Sequence, residues 1–419
     1  MLLISMVIIG LLPMAVSASS WTSFQGNNNN NGVTSEDITT TFATNWTSTT
    51  VASDFSGLDS GAIIDENDAV YCVSYSGIVY AFNLTTGSEI WNNSNIANND
   101  PNVFSFELSV PAYHDNRLYI GLSEGNSSQN TTIYALNTMD GSVVWYNSSD
   151  TYFPPSHQLN SPIKYDPDSG NLYFGSVELD ANYNTIGGYF YCVNASNGNV
   201  IWRYDSSTRG YYGAAPAIIG NYVVVGDDAG IVRSFNKEDG TLVDTLNTST
   251  YGSIRSGIVY DDGSLYYSTT GGYLVTVEYD SSTGDIDATT LRSKDIGSRT
   301  TSTPAVTDDY IYVGTDSSSV KVIDKATFGN IFETYTVDGP VKASPVVTTN
   351  TTGIERVYVT TNNPGTCYGI IFNKSSETFT GNVSWQPNGS TYTLQGIAFA
   401  NGYLVYGNDA GYLYGATGF

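Results

Sequence analysis

The stretch from Asp166 to Asn171 is the part of the sequence whose residue types and spacing most resemble a metal site. It reads Asp-Pro-Asp-Ser-Gly-Asn, which places carboxylates two residues apart at Asp166 and Asp168. Oxygen ligands at alternate positions open a typical calcium-binding loop, but the glutamate that completes such a loop does not follow here. Asp166 and Asp168 are therefore candidate ligands for a calcium ion, and we predict no other cofactor.

Groups for acid–base or nucleophilic catalysis are sparse. The chain has two histidines, His114 in a predicted turn and His157 just ahead of a predicted strand, and no triad or metal cluster can be drawn around either. Adjacent aspartates recur in predicted turns, at 227–228, 261–262 and 308–309. An aspartate in a turn usually caps its own backbone. We therefore predict no catalytic residue.

The elements that would position these side chains are short strands in a repeat of about 45 residues. The best preserved copy, Ser109–Trp145, has a small-Pro-Ala entry, a strand that ends in glycine, a third strand, and a turn that leads to a last strand with tryptophan. Four strands per repeat and eight repeats predict an all-β, eight-bladed β-propeller of four-stranded antiparallel blades. The middle residues of the second strands lie 42 to 54 residues apart, at Tyr71, Tyr119, Tyr173, Val224, Tyr266, Tyr312, Tyr358 and Val405.

The two ends of the repeat array predict how the ring closes. The eighth repeat stops at Phe419, where its fourth strand should begin, and a lone strand pattern with Trp46 precedes the first repeat. Because closure removes exposed strand edges, we predict that this N-terminal strand completes the last blade. The predicted divisions are a signal peptide at 1–18, an N-terminal loop segment at 19–42 and the propeller at 43–419. The asparagine tract in the loop segment is expected to have no packing role.

The first 18 residues predict export. They are apolar and end in the small-residue pattern Val16-Ser17-Ala18, which is typical of signal cleavage. The run is short for a membrane span. No lysine or arginine precedes it, so an uncleaved anchor stays open. We predict an extracellular or cell-surface protein without a membrane span after cleavage. The net charge of -25 argues against nucleic acid as a partner.

Twelve sequons for N-glycosylation occur in the sequence, and an exported protein could be modified at them. About ten are expected by chance from the Asn, Ser and Thr content, so the count alone is weak evidence. The candidate glycosylation residues are Asn45, Asn83, Asn92, Asn126, Asn130, Asn147, Asn194, Asn247, Asn350, Asn373, Asn382 and Asn388.

One mouth of the predicted ring collects basic and aromatic residues. The connections that enter the first strand of blades three to seven open at the same mouth and hold four of the 15 basic residues. Such a surface on an acidic protein suits an anionic glycan or a partner protein. The alternative is that these side chains fill gaps between blades. The predicted partner-binding residues are His157, Arg209, Tyr211, Tyr212, Arg255, Arg299 and Lys342, with Tyr152, Phe153 and Tyr251 beside them.

Three turn sequences, AFNLTTGSEIW, ALNTMDGSVVW and CVNASNGNVIW, resemble the repeat of pyrroloquinoline-quinone (PQQ)-type propellers, and the opening WTSFQGN is similar to the start of many such chains. The resemblance implies that the tryptophans dock between neighbouring blades. The family contains quinoprotein dehydrogenases and a non-enzymatic outer-membrane assembly lipoprotein. The dehydrogenases carry an adjacent cysteine pair over the quinone, whereas Cys72, Cys192 and Cys367 lie far apart and are expected to be buried free thiols. The lipoprotein requires a cysteine directly after its signal, whereas Ala18 is followed by Ser19.

The leading hypothesis is an exported, non-catalytic propeller that binds or scaffolds an envelope protein or a glycan at the cell surface. The resemblance leaves a PQQ-dependent oxidoreductase as the alternative. A structural component of a surface layer is a second alternative, and it predicts self-assembly at high concentration.

Overall fold

A computed structural model describes most of the chain. The predicted signal peptide lies outside the described residues. Two short 3-10 helices, Phe24–Gly26 and Ser249–Tyr251, are the helical elements among the described residues. The structure describes residues 19–36, 42–48, 57–58, 60–96, 103–104, 109–124, 131–149, 151–182, 184–207, 209–329, 331–349, 351–387 and 396–418.

The strands follow one another in short antiparallel runs. The first half of the chain forms β1 (Val33–Thr34), β2 (Phe42–Thr47), β3 (Ile63–Ile64), β4 (Ala69–Val73), β5 (Val79–Asn83), β6 (Glu89–Asn93), β7 (Val103–Phe104), β8 (Ala112–His114), β9 (Arg117–Glu124), β10 (Thr132–Asn137), β11 (Val143–Asn147), β12 (His157–Gln158), β13 (Lys164–Asp166), β14 (Asn171–Gly175), β15 (Val177–Leu179), β16 (Thr185–Gly187), β17 (Tyr189–Asn194) and β18 (Val200–Asp205).

The second half continues the pattern. It forms β19 (Ala217–Ile219), β20 (Tyr222–Gly226), β21 (Ile231–Asn236), β22 (Leu242–Asn247), β23 (Val259–Asp261), β24 (Ser264–Ser268), β25 (Tyr273–Asp280), β26 (Asp285–Asp295), β27 (Ala305–Val306), β28 (Tyr310–Thr315), β29 (Ser319–Asp324), β30 (Ile331–Thr336), β31 (Val346–Thr348), β32 (Ile354–Thr360), β33 (Cys367–Asn373), β34 (Thr378–Trp385), β35 (Ala398–Ala400), β36 (Tyr403–Gly407) and β37 (Leu413–Gly418).

The all-β propeller class is confirmed. Within the described residues, eight sheets contain four antiparallel strands in the predicted order, and we number them as blades. Blade 1 is β3–β6, blade 2 β8–β11, blade 3 β13, β14, β17 and β18, blade 4 β19–β22, blade 5 β23–β26, blade 6 β27–β30, blade 7 β31–β34, and blade 8 β35–β37 with β2. Strand β7 extends blade 2, β1 pairs in parallel with β31 of blade 7, and β12, β15 and β16 form a small separate sheet.

The N-terminal strand pairs where the sequence predicts it. Strand β2 lies antiparallel to β37, with Phe42 opposite Gly418 and Thr47 opposite Tyr414. The first strand of blade 8 in turn contacts the first strand of blade 1. The last blade is thus built from both ends of the described chain, which hides the edge that β37 would otherwise expose.

The segment of residues 19–36, which we call the N-terminal segment, touches every one of these blades. Trp21 exchanges two backbone hydrogen bonds with Ile64 of blade 1, at 2.8 and 2.9 Å. The carbonyl groups that follow each accept one N–H from a first strand or its turn. They are Thr22 from Tyr113 of blade 2, Asn28 from Ile218 of blade 4, Asn29 from Tyr260 of blade 5, Asn31 from Val306 of blade 6 and Gly32 from Val347 of blade 7.

Side chains complete this set of contacts. The Lys164 ammonium group of blade 3 donates to the carbonyl of Asn27 at 2.7 Å, to the Ser23 hydroxyl and to the Phe24 carbonyl. The Glu36 carboxylate accepts from the N–H of Gly402 in blade 8 at 2.8 Å. The expectation that the asparagine tract has no packing role is therefore wrong. Its backbone carbonyl groups accept hydrogen bonds from successive blades around the ring.

Asn30 shows what an asparagine side chain contributes here. It is fully buried, and its Nδ2 donates to the carbonyls of Pro216 and Ile258, at 2.9 Å each. Its φ of 58° lies in the left-handed region, which asparagine tolerates better than most residues. The side chain thereby joins the residues that directly precede the first strands of the neighbouring blades 4 and 5.

Four tryptophans lie between blades, as the family resemblance implies. The indole Nε1 of Trp46, Trp91, Trp145 and Trp202 donates to a turn carbonyl of the next blade, at 2.7 to 3.1 Å. Under each ring lies a glycine with positive φ, since a Cβ there would come within 2.5 to 2.6 Å of the indole. Trp385 of blade 7 also packs against the following blade, with its ring beside Phe42, Tyr406 and Tyr414 of blade 8, but it does so from a different register position. It lies opposite Cys367 at the start of β33, whereas Gly381 occupies the equivalent register position.

Blades 4 to 6 replace the indole by polar links to the following blade. Asp244 accepts the N–H of Ile286 at 2.7 Å, and Glu333 accepts the N–H of Phe379. Arg292 donates to the carbonyl of Thr327 and lies over the ring of Phe328. Loss of the tryptophan therefore does not leave these blade junctions without a hydrogen bond.

Gly87→Ala should destabilise the protein more than Gly170→Ala does. Both glycines have a φ near 67°, at 66° and 68°, but only Gly87 packs against an indole, that of Trp46. We expect about 1–2 kcal/mol for Gly170→Ala from the left-handed backbone alone. An additional ~1–3 kcal/mol is expected for Gly87→Ala from the clash. Urea unfolding of the two variants measures the difference, and equal losses would contradict the docking role of Trp46.

Candidate functional site

The ring presents two different faces. The loop face carries the connections into the first strand of each blade together with the turns between second and third strands. Backbone bonds tie these together, for example from Asp228 to Gly210 at 3.0 Å and from Asp316 to Arg299 at 2.9 Å. The turn face carries the turns between first and second strands and the N-terminal segment. The predicted partner-binding residues lie on the loop face or in its supporting layer.

The aromatic and basic residues near blade 4 form a network that is mostly buried. Arg255 makes a two-pronged contact with Asp228, with Nε 2.6 Å from Oδ1 and the terminal NH2 2.9 Å from Oδ2. The guanidinium group also lies 4.3 Å from the ring centre of Tyr212. Tyr211 is fully buried, and Arg209 is exposed. Arg255 therefore supports the loop face and is not a free cation.

Asp228 has a second partner and a buried neighbour. Thr185 donates to its Oδ2 at 2.5 Å, and the adjacent Asp227 pairs with Arg233 at 2.6 Å. Asp227 also accepts the N–H groups of Ala229 and Ile231, as the turn pattern predicts. The two carboxylates are at most 2% exposed. Each carboxylate therefore depends on its arginine partner, because a buried charge without a partner is strongly destabilising.

Arg299 and Lys342 lie elsewhere on the loop face. The side chain of Arg299 is 53% exposed, and its closest carboxylate oxygen, on Asp316, is 3.9 Å away. Lys342 is half-buried. Among the predicted cations, Arg209 and Arg299 are the ones the structure leaves open to a partner.

His157 lies under the loop face and is 5% exposed. Its Nδ1 is 3.1 Å from the Ser176 hydroxyl, its Nε2 is 3.8 Å from the Glu178 carboxylate, and its ring stacks on Tyr189. A histidine in contact with a serine on one side and a glutamate on the other resembles a hydrolase triad. Ser176 is fully buried, however, and its hydroxyl also accepts the N–H of Tyr189. The group is therefore placed to hold β12 against β15, and a substrate cannot reach this hydroxyl without local opening.

The pH dependence of stability should change when His157 is replaced. Burial, and then the positive charge of Arg203, lower the pKa of His157 to about 4. In the unfolded chain its pKa is about 6.5, so below that pH only the unfolded state takes up the proton. Stability from His157 is present above pH 6.5 and is lost towards pH 4, by about 2 kcal/mol near pH 4.5. His157→Gln should lose correspondingly less between pH 7 and 4.5 in urea unfolding. An equal loss in variant and wild type would contradict this.

The predicted calcium loop holds a lysine in the structure. Lys237 Nζ from the next blade lies 2.8 Å from Asp166 and 3.8 Å from Asp168. Equivalent lysines pair with the preceding blade elsewhere, Lys325 with Asp261 and Lys374 with Asp309. The Asp166 contact is thus one of a repeated set of ion pairs between blades. Among the described residues, no group of three or more His, Cys, Asp or Glu is placed to hold a metal ion.

The sequons divide according to turn chemistry. Asn83, Asn194 and Asn373 are half-buried, and the Oδ1 of each accepts the N–H two residues later. Asn137 and Asn236 make the same contact without a sequon, so the asparagine serves the turn. Asn147 is half-buried and donates to Gly198. Asn92, Asn247 and Asn382 are exposed, whereas Asn126, Asn130, Asn350, Asn388 and the Asn45 side chain lie outside the described residues.

The turn face contains a pocket that the sequence does not reveal. It has a volume of about 580 Å³ and lies between the N-terminal segment and the first turns of blades 1 to 3. Its wall includes Glu66, Tyr113, His114, Asp115 and Tyr165. These residues are up to about a hundred positions apart in the sequence, and the N-terminal segment that completes the wall has no repeat pattern. The signal that could have indicated it is the coincidence of aromatic residues with the first turns of adjacent blades.

A narrow cavity lies beside the N-terminal segment, next to the entries into blades 1, 2 and 8. The cavity beside Trp21, Phe24 and Gln25 has a volume of about 10 Å³, which is room for at most one water molecule. The cysteines are free and buried, as predicted, and lie in blades 1, 3 and 7. Burial raises the pKa of each thiol.

Comparison with known families places this ring among characterised propellers. The family model described as outer membrane protein assembly factor BamB matches residues 27–147, 129–287 and 187–417, which together span nearly the whole described chain. The chain belongs to the BamB family. The resemblance to PQQ-type repeats is thereby confirmed.

Two curated relatives match part of the chain. BamB of Yersinia pestis is 25% identical over 189 residues, which are 42% of this chain and 41% of that protein. Tetrathionate hydrolase of Acidithiobacillus ferrooxidans is 25% identical over 196 residues, which are 43% of this chain and 33% of that protein. The chain thus matches less than half the length of either relative.

Solved structures share the fold. BamB from Moraxella catarrhalis has a TM-score of 0.59 at 17% identity and covers 88% of this chain and 97% of its own. Quinohemoprotein alcohol dehydrogenase from Comamonas testosteroni has a TM-score of 0.66 at 10% identity, with 96% of this chain and 81% of its own covered. The same ring therefore occurs in an assembly factor and in an enzyme, and function must be argued from the site.

Proposed function

We propose that this chain is a non-catalytic, protein-binding propeller of the cell envelope that engages a partner through its loop face. The observation that carries the proposal is that some charged groups of that face form buried ion pairs whereas others are exposed. Two buried ion pairs, Asp227 with Arg233 and Asp228 with Arg255, hold the loops in place. Arg209 and Arg299 are exposed on the same face. A rigid surface with open cations is suited to recognition.

The charge distribution indicates what kind of surface would bind. The whole chain carries a net charge of -25, so an acidic partner is repelled except where local cations face it. Arg209 and Arg299 supply such cations, and Tyr152, which is 38% exposed, supplies aromatic contact area on the same face. We infer an acidic patch on an envelope protein as the partner surface, with binding that weakens as salt increases.

Membership of the BamB family supports an assembly or scaffolding role, since the relative from Yersinia pestis is named an outer membrane protein assembly factor. Export through the apolar residues 1–18 belongs to this proposal. Among the described residues, no helix is long and apolar enough to span a bilayer. A glycan is the other partner class that the exposed cations would suit.

Replacing both exposed arginines should weaken partner binding without unfolding the ring. We expect Arg209→Ser/Arg299→Ser to bind at least about tenfold less partner in capture from a solubilised native envelope, because two steering charges are lost. The matched control is Arg117→Ser/Arg356→Ser, which removes the same charge from the strands β9 and β32, away from the loop face. Thermal unfolding of both variants verifies the fold.

Four outcomes would contradict the proposal. Retention of the partner by Arg209→Ser/Arg299→Ser would exclude the loop-face cations, and an equal loss in the control would indicate non-specific charge effects. Saturable binding of the quinone in the presence of calcium, detected by its absorbance, would favour the oxidoreductase alternative. Self-assembly of the isolated chain at high concentration would instead favour the surface-layer alternative.

A further inference from the structure

The pocket on the turn face is separate from the surface proposed for partner binding. It opens between the N-terminal segment and the first turns of blades 1, 2 and 3, on the side of the ring opposite Arg209 and Arg299. Its volume of about 580 Å³ lies in the range of small-molecule sites. It is large enough for a ligand of one or two sugar rings, and none of the contacts described for the loop face involves it.

Two aromatic rings form one wall of the pocket. His114 stacks on Tyr165 with ring centres 4.0 Å apart and planes inclined by 19°. Tyr165 is supported from behind by Tyr119, whose ring is parallel to it within 3°. His114 is exposed, so its outer ring surface is open to a ligand. A stack held in this way offers a flat aromatic platform at little cost in side-chain entropy.

Strong hydrogen-bond acceptors lie at the other walls. Tyr113 donates to Glu66 Oε1 at 2.8 Å and so orients that carboxylate. Burial raises the pKa of Tyr113, which keeps its hydroxyl protonated for this contact. Glu66 and Asp115 are exposed carboxylates that retain free acceptor capacity, since a carboxylate can accept about four hydrogen bonds.

Hydroxyl groups complete the lining. Ser20, Thr22 and Ser23 come from the N-terminal segment, and each hydroxyl can donate as well as accept. The lining residues of the pocket include no lysine or arginine. An anionic ligand would therefore face Glu66 and Asp115 without a compensating cation in the wall.

We infer that this pocket binds a neutral saccharide, with a sugar ring against the His114–Tyr165 stack and its hydroxyl groups donating to Glu66 and Asp115. A sugar hydroxyl both donates and accepts, so it matches the carboxylates and the serine and threonine hydroxyls together. An ammonium or guanidinium group only donates, so it would leave the donor capacity of the hydroxyl groups unused. The C–H face of a pyranose is flat and apolar, as the aromatic wall requires.

Titration of the full mature chain with neutral disaccharides tests this inference. The probes are maltose, cellobiose, lactose and N,N′-diacetylchitobiose, each followed by saturation-transfer NMR and calorimetry up to millimolar concentration. We expect saturable binding of at least one. His114→Ala and Glu66→Gln should each weaken it about tenfold, or about 1.4 kcal/mol. Tyr146→Ala and Glu238→Gln remove an exposed ring and an exposed carboxylate elsewhere and should leave the affinity unchanged.

The opposite results are equally clear. Absence of binding by all four probes, or binding that His114→Ala and Glu66→Gln leave intact, would overturn the inference. Tighter binding of the peptide acetyl-Gly-Arg-Gly-amide than of any sugar would show that the pocket receives a basic side chain instead. Because His114 and Glu66 are both exposed, these variants should fold, and an unchanged unfolding midpoint verifies this.

Discussion

A chain that lacks residues 19–31 should lose most or all of its folding stability, although no strand of a blade is removed. The deletion takes away the backbone partners of Ile64, Tyr113, Ile218 and Tyr260, and it leaves the buried Lys164 ammonium group without acceptors. Each buried polar group left unpaired costs about 1–3 kcal/mol. Their sum approaches the whole stability of an ordinary domain, about 5–15 kcal/mol. Circular dichroism and thermal unfolding of 19–419 and 32–419 measure the effect.

A single substitution keeps this prediction testable if the truncated chain fails to express. Asn30→Ala removes the donor to Pro216 and Ile258 in the ring interior, and we expect a loss of about 2–4 kcal/mol. Asn29→Ala is the matched control, because this side chain is exposed and should change stability by no more than about 0.5 kcal/mol. Equal stability of the two variants would show that the tract is an ordinary surface loop.

The second large effect is expected from Arg255→Ser. The substitution leaves Asp228, which is 2% exposed, without its two-pronged partner, and only the Thr185 hydroxyl remains beside the charge. Removing one member of a buried ion pair costs about 3–5 kcal/mol. We therefore expect urea unfolding to show a loss of at least ~3 kcal/mol.

Arg299→Ser serves as the matched control for that variant. Its side chain is half exposed and its closest carboxylate is 3.9 Å away, so the expected loss is about 0–1 kcal/mol. Similar losses for Arg255→Ser and Arg299→Ser would contradict the supporting role of Arg255. The comparison also explains why Arg255 must be left intact when partner binding is measured, since a destabilised loop face would lose its partner for an indirect reason.

The repeat could be predicted from the sequence because its period is carried by side chains. Alternating apolar strands, the turn asparagines and the tryptophan over a glycine each leave a residue pattern, and Trp46 identified the strand that completes blade 8. Trp385 also packs between blades, but residue type and approximate spacing do not reveal its register. Only the register of β33 with β34 shows that it lies four residues past the position equivalent to Trp91, Trp145 and Trp202.

The packed N-terminal segment could not be predicted in the same way. Its links to Ile218, Tyr260 and Val306 use backbone carbonyl groups, which every residue type possesses. The loop-face cations were placed on one side of the ring by sequence reasoning. Their pairing was not anticipated, because Asp228 reaches Arg255 from a turn of the preceding blade. The turn-face pocket was missed for a related reason, since its walls come from three blades and the N-terminal segment.

Site-specific photocrosslinking in the native cell tests the central claim most directly. A photoreactive phenylalanine is introduced at Arg299 or Tyr152 on the loop face, and at Tyr146, which is 64% exposed on the outer strand β11, as the reference position. The account predicts that the loop-face positions crosslink to one envelope protein and that the Tyr146 position does not. Crosslinks from Tyr146 alone, or the same adducts from all three positions, would contradict a partner site on the loop face.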